Sequence, residues 1–348
     1  GRLKGVFHRM IQTIDGLLPD TDYEIMLVRA NEASETVTFH TEPEPITLNV
    51  RDFGAFGDGV HDDTSAIQAA ILCCPKNARV LIPKGTYPVT ALFLKSDMIL
   101  ELQENAVLAG IYDRARTPIL PGQIEYDNED GYYNLGSWEG NPIDSFASMI
   151  TGIHVKNVTI CGKGVLDGRA DFENWWSRPK DKIRAWRPRM IFLNHCENIT
   201  VVGVTVQNSP AWNLHPYFSN QIRFLDMEVK GPANSHNTDG CDPESCTNVE
   251  IAGVHFSVGD DCIAIKSGKI YMGKKFKVPS KHIHIRQSWM QDGHGAVTVG
   301  SEIAAGVDDI HISKCRFSNT DRGLRVKTRR GRGKDSVLKG IVFEDHQH

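Results

Sequence analysis

Four short clusters of chemically able side chains follow one another between residues 237 and 327: Asn237-Thr238-Asp239-Gly240, Gly259-Asp260-Asp261, Gly293-His294-Gly295 and Arg325-Val326-Lys327. Carboxylates brought close together raise one another's pKa, so one can stay protonated as an acid while another remains a base. Acid–base cleavage of an acetal needs such a pair. Each cluster alone has a plainer account. Asp-Asp pairs also bind calcium or cap turns, a histidine between glycines is commonly a surface turn, and an Arg-x-Lys pair is commonly a solvated strand face. Their order and spacing argue for one site, provided that the fold stacks them.

A repeat supplies the stacking. Segments beginning at Asn198, Gln221, Asn248, His282 and Asp309 align as strand, turn and second strand, with starts 23, 27, 34 and 27 residues apart and an earlier copy at Asn157. A drifting period of this size is the signature of a parallel β-helix whose turns vary in length, and the fixed leucine and asparagine pattern of leucine-rich repeats is missing. Equivalent positions in successive coils then lie about 4.8 Å apart and form ladders. Aligning the second strands as Asp239-Gly240-Cys241, Asp260-Asp261-Cys262, His294-Gly295-Ala296 and Arg322-Gly323-Leu324 places the clusters on one face. Arg325 and Lys327, two apart on a strand, project to the same side. Cys196, Ser219, Cys246 and Ser280, each two residues before a repeat start, form a small-residue ladder, and Cys241 and Cys262 are expected to be equivalent. Buried thiols explain these cysteines more simply than disulfides do. Asn157 and Asn198 head Asn-x-Thr glycosylation patterns, which stacked turn asparagines explain equally well.

Composition sets outer limits. With 348 residues, 40% of them hydrophobic and 24% charged, the chain is ordinary for a globular protein, and 31 glycines against 14 phenylalanines indicate many turns. A net charge of −4 and a pI near 6.4 argue against a general nucleic-acid binder. No run of about 18 apolar residues is present, so no membrane partner is expected. The first residues lack the order of a signal peptide, so the chain is expected to start downstream of any export signal.

At the front, residues 1–42 read as short β-runs at Val6-Phe7, Tyr23–Val28 and Val37–Phe39. Leu18-Pro19-Asp20-Thr21-Asp22-Tyr23 resembles the tyrosine corner of a fibronectin type III module, of which only the last strands would be present. Thr41–Pro45 is a stiff linker. Arg51-Asp52-Phe53-Gly54-Ala55-Phe56-Gly57-Asp58-Gly59, with Asp63 as expected N-cap of a helix over Ala66, Ile67, Ala70 and Ile71, resembles the entry segment of the pectin-lyase-like superfamily. There a short helix closes one end of the solenoid. Two stretches interrupt the repeat, Tyr112–Phe146 and the lysine-bearing Ile270–Pro279, and both are assigned to walls of a cleft.

The four clusters together resemble glycoside hydrolase family 28, the polygalacturonases and their relatives, over residues 46–345. The resemblance implies an all-β fold, a right-handed parallel β-helix spanning residues 43–348 with a short N-terminal capping helix and a small β appendage before it. Because family members continue past the Arg-x-Lys cluster, truncation at the C-terminus is expected. It also implies roles: Asp260 as general acid, Asp239 and Asp261 as the pair that activates water with inversion, and His294 tuning the acid. Arg325 and Lys327 would hold a galacturonate carboxylate, and Asn237 would orient the turn presenting Asp239. His215 and Lys266 complete the expected substrate-binding set, while Trp212 suits packing as well as the groove. No cofactor and no metal are expected. The expected activity is hydrolysis of α-1,4-galacturonosidic bonds of polygalacturonate or pectin oligosaccharides from chain ends, by a secreted or periplasmic monomer. Endo-polygalacturonase, rhamnogalacturonan or xylogalacturonan hydrolase, calcium-dependent pectate lyase and a non-catalytic carbohydrate-binding β-helix are the alternatives.

Overall fold

A computed structural model describes residues 5, 9–125 and 132–347 of the chain; the run at Val6-Phe7 lies outside these, as does part of the 112–146 stretch. The repeat coils into a right-handed parallel β-helix with three long faces. One is a ten-stranded sheet, the second an eight-stranded sheet, and the third combines a four-stranded and a three-stranded sheet joined by single bridges at Cys241 and Glu244.

The turn residues explain the winding. Asn198, Gln221, Asn248, His282 and Asp309, the five repeat starts, all adopt left-handed backbone (φ 55° to 58°). Polar residues with short side chains tolerate that region best, which is why Asn and Asp recur there. Asn198 Nδ2 donates to Asn157 Oδ1 at 2.8 Å and Asn248 Nδ2 to Asn220 Oδ1 at 3.0 Å, so these asparagines form a ladder. Inside, Ile199, Ile222, Val249, Ile283 and Ile310 pair in register and are buried. Each contributes about 1.5–3 kcal/mol of burial energy. The small-residue ladder is also present: the Cys196 N–H donates to Ser219 Oγ at 3.0 Å and the Cys246 N–H to Ser280 Oγ at 3.1 Å. All eight cysteines are free thiols.

Helix α1 (Thr64–Cys73) packs Ile67, Ala70 and Ile71 onto the first coil. Asp63 stands at its N-cap position but does not cap it. Its carboxylate instead accepts from the Phe56 and Gly57 N–H groups, at 2.8 and 3.0 Å, tying the entry loop down, while Asp62 accepts from the Thr64 N–H. Ahead of the solenoid, strand Asp22–Ile25 pairs antiparallel with Val37–His40, and Tyr23 Oη accepts from the Leu18 N–H at 2.8 Å. The start of the described chain is fastened to a coil: Asp226 accepts from Arg9 Nη1 at 3.1 Å and from Thr13 Oγ1 at 2.6 Å.

Candidate active site

The third face positions the site. Along it Leu214, Cys241, Ile263, Val297 and Leu324 share one register. Cys241 therefore pairs with Ile263, not with Cys262, and the expected equivalence of the two cysteines is off by one residue; alternation along a strand makes a single-residue slip exchange the faces. Because Ile263, Ile265, Val297 and Val299 point into the core, the residues between and after them point out. Arg325 and Lys327 leave the same face one coil further on.

The turns leading into these strands carry the acids. One carboxylate oxygen from each of Asp239, Asp260 and Asp261 lies within 4.8 Å of the others. Asp260 is the accessible member; Asp239 is 4% exposed and Asp261 1%. Asp260 Oδ1 accepts from the Asp261 N–H at 2.8 Å and faces His294 Nδ1 at 3.3 Å. Asp261 is paired with Lys327 Nζ at 3.2 Å, with Arg325 Nη1 at 3.8 Å. The glycines beside His294 have separate duties. Gly293 holds φ +85° where a Cβ would sit 2.6 Å from Asp260 O, and a Cβ on Gly295 would lie 2.9 Å from Asp261 Oδ1. Substitution at either would push an acid out of place.

Asp242 was not among the expected residues. It is fully buried, and neither of its carboxyl oxygens meets a hydrogen-bond partner among the described residues. Burial first, then the charges of Asp242 and Asp260, hold Asp239 well above the usual carboxylate range. Burial likewise raises Asp242, against the pull of Lys266. The signal in the sequence was the Asp239-x-x-Asp242 spacing, which reads equally well as a turn.

Asn237 stands just ahead of Asp239. Its backbone is left-handed (φ 56°), and its Oδ1 accepts from Arg187 Nη2 at 2.6 Å. Arg187, buried, also donates to Pro210 O at 2.7 Å and His236 O at 2.9 Å, so it fixes the loop ahead of Asp239.

His215 and Lys266 do not line the groove. Both point outward on the correct face, but the chain covers them. Arg189 donates to Ser137 O and Asn134 Nδ2 to Tyr217 Oη, laying the 134–138 segment over His215, which is fully buried. Lys266, 4% exposed, donates to Glu302 Oε2 at 2.5 Å and to Gly300 O at 3.2 Å. Trp212 is buried packing with the Lys266 ammonium 5.1 Å from its ring.

The groove, about 630 Å³, has Asp260, His294 and Asn237 at its floor and Trp138, Trp186, Lys180 and Lys269 on its walls. Trp138 and Trp186 stack at 4.9 Å with 5° between planes. The 112–146 insertion thus forms a wall, as expected, through Trp138 and its neighbours. The 270–279 stretch instead forms helix α2 (Ile270–Phe276), and only Lys269 before it reaches the groove. The wall at 179–186 was missed, though the 41-residue interval from Asn157 to Asn198, the longest in the repeat, marked an insertion there.

Beneath the floor, His215 Nε2–H donates to Glu244 Oε1 at 2.9 Å while its Nδ1 accepts from Arg189 Nε at 3.2 Å. Burial, then the charges of Arg189 and Lys266, keep His215 neutral. Burial, then Glu302, push Glu244 from 4.5 up to about 7. A carboxyl with a raised folded value binds its proton more tightly in the folded state. Its stabilising contribution is therefore complete below pH 4.5 and is lost as pH rises through about 7. The loss amounts to about 3 kcal/mol. Urea unfolding of wild type and Glu244→Gln across that window should show the wild-type advantage shrinking by this amount; a pH-independent difference would refute the shift.

The profile described as Glycosyl hydrolases family 28 matches residues 122–347, and one described as Rhamnogalacturonase A/epimerase, pectate lyase-like, matches residues 47–168. The chain is 32% identical over 304 residues to a probable polygalacturonase of Vitis vinifera, covering 84% of this chain and 60% of that protein. It is 29% identical to an exo-poly-alpha-D-galacturonosidase of Dickeya chrysanthemi, covering 97% of this chain and 62% of that protein. The solved structure of a family 28 exopolygalacturonase of Yersinia enterocolitica superposes with a TM-score of 0.78 at 27% identity, over 95% of this chain and 64% of that one. The chain thus spans about three fifths of the length of each of these relatives.

Proposed function

The chain belongs to glycoside hydrolase family 28, and from that premise we propose that it is an inverting hydrolase of α-1,4-galacturonosidic bonds in polygalacturonate, acting from chain ends. The observation that carries this is the meeting of three carboxylates with Lys327 and Arg325, with Asp260 opening onto the groove. Asp260, the exposed acid beside His294, protonates the departing glycosidic oxygen. Asp239 and Asp261 hold the attacking water, whose proton passes to this side of the site. Arg325 and Lys327 have the charge and geometry to take the carboxylate of the reacting galacturonate.

The carboxylate spacing bears on stereochemistry. Oxygens within 4.8 Å resemble the roughly 5–5.5 Å of retaining glycosidases more than the roughly 6.5–9.5 Å of inverting ones. Burial favours inversion nonetheless. A carboxylate that attacks the sugar itself must stand free in front of C1, whereas Asp239 and Asp261 are walled in and reach the sugar only through water. Proton NMR during early turnover should therefore show the β-anomer at the new reducing end, and first appearance of the α-anomer would establish retention.

Action from chain ends is supported by the wall built from Trp138 and Trp186. Two relatives named exo match 97% and 95% of the chain, so their similarity extends into residues 1–42. New reducing ends should accumulate from polygalacturonate with little loss of viscosity. Rapid viscosity loss would mean endo action, and ultraviolet-absorbing unsaturated ends would mean a lyase. Residues 43–348 are the catalytic β-helix, and residues 1–42 a fibronectin type III-like segment, a reading supported by the Tyr23–Leu18 bond. A polymeric substrate places the enzyme outside the cytoplasm, secreted or periplasmic, as a monomer. No described helix is long and apolar enough to cross a membrane.

A further inference from the structure

Two segments that leave the third face carry positive charge that the reaction above does not use. Residues 270–279 hold Lys274, Lys275 and Lys277 and no acid, and residues 328–334 hold Arg329, Arg330, Arg332 and Lys334 and no acid. On a chain of net charge −4, that concentration is local. The fold brings the two together. Helix α2 approaches the short turn Arg330–Arg332 to within 8 Å between Cα atoms, and a Cβ on Gly333 would stand 2.7 Å from Ile270 Cδ1. Both segments are firmly seated. Met272 and Gly273 are buried, and a Cβ on Gly273 would lie 2.6 Å from that of Ala304. Arg332, the buried cation of its segment, donates to Ser301 O at 2.6 Å and to Ser301 Oγ at 3.2 Å. The remaining six cations are all exposed, as is Asp335, next in the chain after Lys334. Among the described residues, no hydrogen bond or ion pair engages the side chain of Lys274, Lys277, Arg329, Arg330 or Lys334.

We propose that α2 and the 328–334 loop form an accessory binding surface for polygalacturonate outside the groove, where exposed Lys and Arg side chains hold the carboxylates of the polymer that runs on beyond the cleavage site. The identity of the polymer rests on the hydrolase reading of the site.

A plainer account covers part of the patch. Lysines in the last turn of a helix complement its dipole, which serves for Lys274 and Lys275. It does not serve for Arg329, Arg330 and Lys334, which come from a separate loop, and like charges on packed segments repel one another. A polyanion laid across both segments removes that repulsion. Aromatic surface lies among the charges: Tyr271 is 44% exposed and Phe276 37%, with the Lys275 ammonium 5.8 and 5.3 Å from their ring centroids. Such rings offer an apolar body to the C–H face of a sugar while the neighbouring cations take its carboxylate. Nucleic-acid bases stack on rings too. Continuity with the groove favours polygalacturonate, because Lys269 on the groove wall immediately precedes α2 and Lys327 beside Asp261 immediately precedes the loop. An enzyme that takes its substrate by the end leaves the rest of the polymer outside the groove, where this surface stands.

The test compares wild type with a neutralised variant, Lys274→Gln with Arg329→Gln, Arg330→Gln and Lys334→Gln, and with a charge-keeping one, Lys274→Arg with Arg329→Lys, Arg330→Lys and Lys334→Arg. Retardation in native gels cast with polygalacturonate reads binding without turnover, and KM is measured on polygalacturonate and on trigalacturonate. Neutralisation should weaken polymer binding and raise the polymer KM by about tenfold, the combined scale of several exposed ion pairs. Both kcat and the trigalacturonate KM should stay within about twofold, because these residues lie outside the groove. The charge-keeping variant should behave as wild type. Equal retardation of wild type and the neutralised variant would overturn the proposal. So would an equal rise of KM on both substrates, which would place these residues in the groove, or stronger retardation of wild type by DNA than by polygalacturonate, which would assign the surface to nucleic acid. If the neutralised variant does not fold, wild type decides alone: added salt should raise KM on the polymer more steeply than on trigalacturonate, and an equal rise refutes the proposal. Failure of the hydrolase reading would appear separately, as retardation by the polymer without new reducing ends.

Discussion

Asp260→Asn is expected to lower kcat on polygalacturonate by about a thousandfold while leaving KM nearly unchanged, the size typical for removal of a general acid. The substitution is nearly isosteric. Asn Oδ1 can still accept the Asp261 N–H, now at 2.8 Å to the aspartate, so the turn that presents Asp261 keeps its shape. What disappears is the proton that must reach the departing oxygen. Asp260 alone of the three acids is open to the groove, with His294 3.3 Å away, so no other member of the cluster can reach a leaving group there. Steady-state kinetics by reducing-end release, with binding of an oligogalacturonate followed by calorimetry, separates the two effects. Activity above about a tenth of wild type, more than loss of a general acid allows, would remove Asp260 from that role. Loss of binding instead would make it a substrate ligand.

Lys327→Met should produce the second large effect, and it should appear in both function and stability. Lys327, partly exposed, lies 3.2 Å from Asp261, a carboxylate 1% exposed whose Oδ1 has no hydrogen-bond partner among the described residues. Removing the ammonium leaves that charge with Arg325 alone, 3.8 Å away. Breaking a buried pair from one side costs about 3–5 kcal/mol in full burial, and the half-exposed lysine reduces this to about 1–3 kcal/mol. The proposed contact to the substrate carboxylate is lost as well, so kcat/KM should fall at least about a hundredfold. Lys327→Arg should recover stability more fully than activity, since a planar guanidinium restores the charge but not the point geometry. Thermal unfolding and kcat/KM measured on the same preparations test this. Unchanged stability in Lys327→Met would show that Asp261 does not depend on the pair.

The parts of the site legible in the sequence are those that follow from the period. Asn198, Gln221, Asn248, His282 and Asp309 are the left-handed turn positions because a solenoid must turn at the same point in each coil, and short polar side chains tolerate that backbone. Once those positions are aligned, the carboxylates, His294, Arg325 and Lys327 fall on neighbouring coils without further information. The register of the third face was less legible. Its strands are two to four residues long and joined partly by single bridges, so pattern alone did not resolve the one-residue offset between Cys241 and Cys262.

The sequence by itself therefore determined the β-helix, the order of the coils and which residue types meet at the four clusters, because all of these depend on local periodicity. Only the tertiary structure decided what is exposed. His215 and Lys266 leave the strands on the same face as Arg325 and Lys327, yet the 134–138 segment and the loop carrying Glu302 cover them and turn expected substrate ligands into a buried network. The physical reason is that strand alternation fixes the direction of a side chain, whereas its access to solvent depends on insertions whose path over the surface no period encodes.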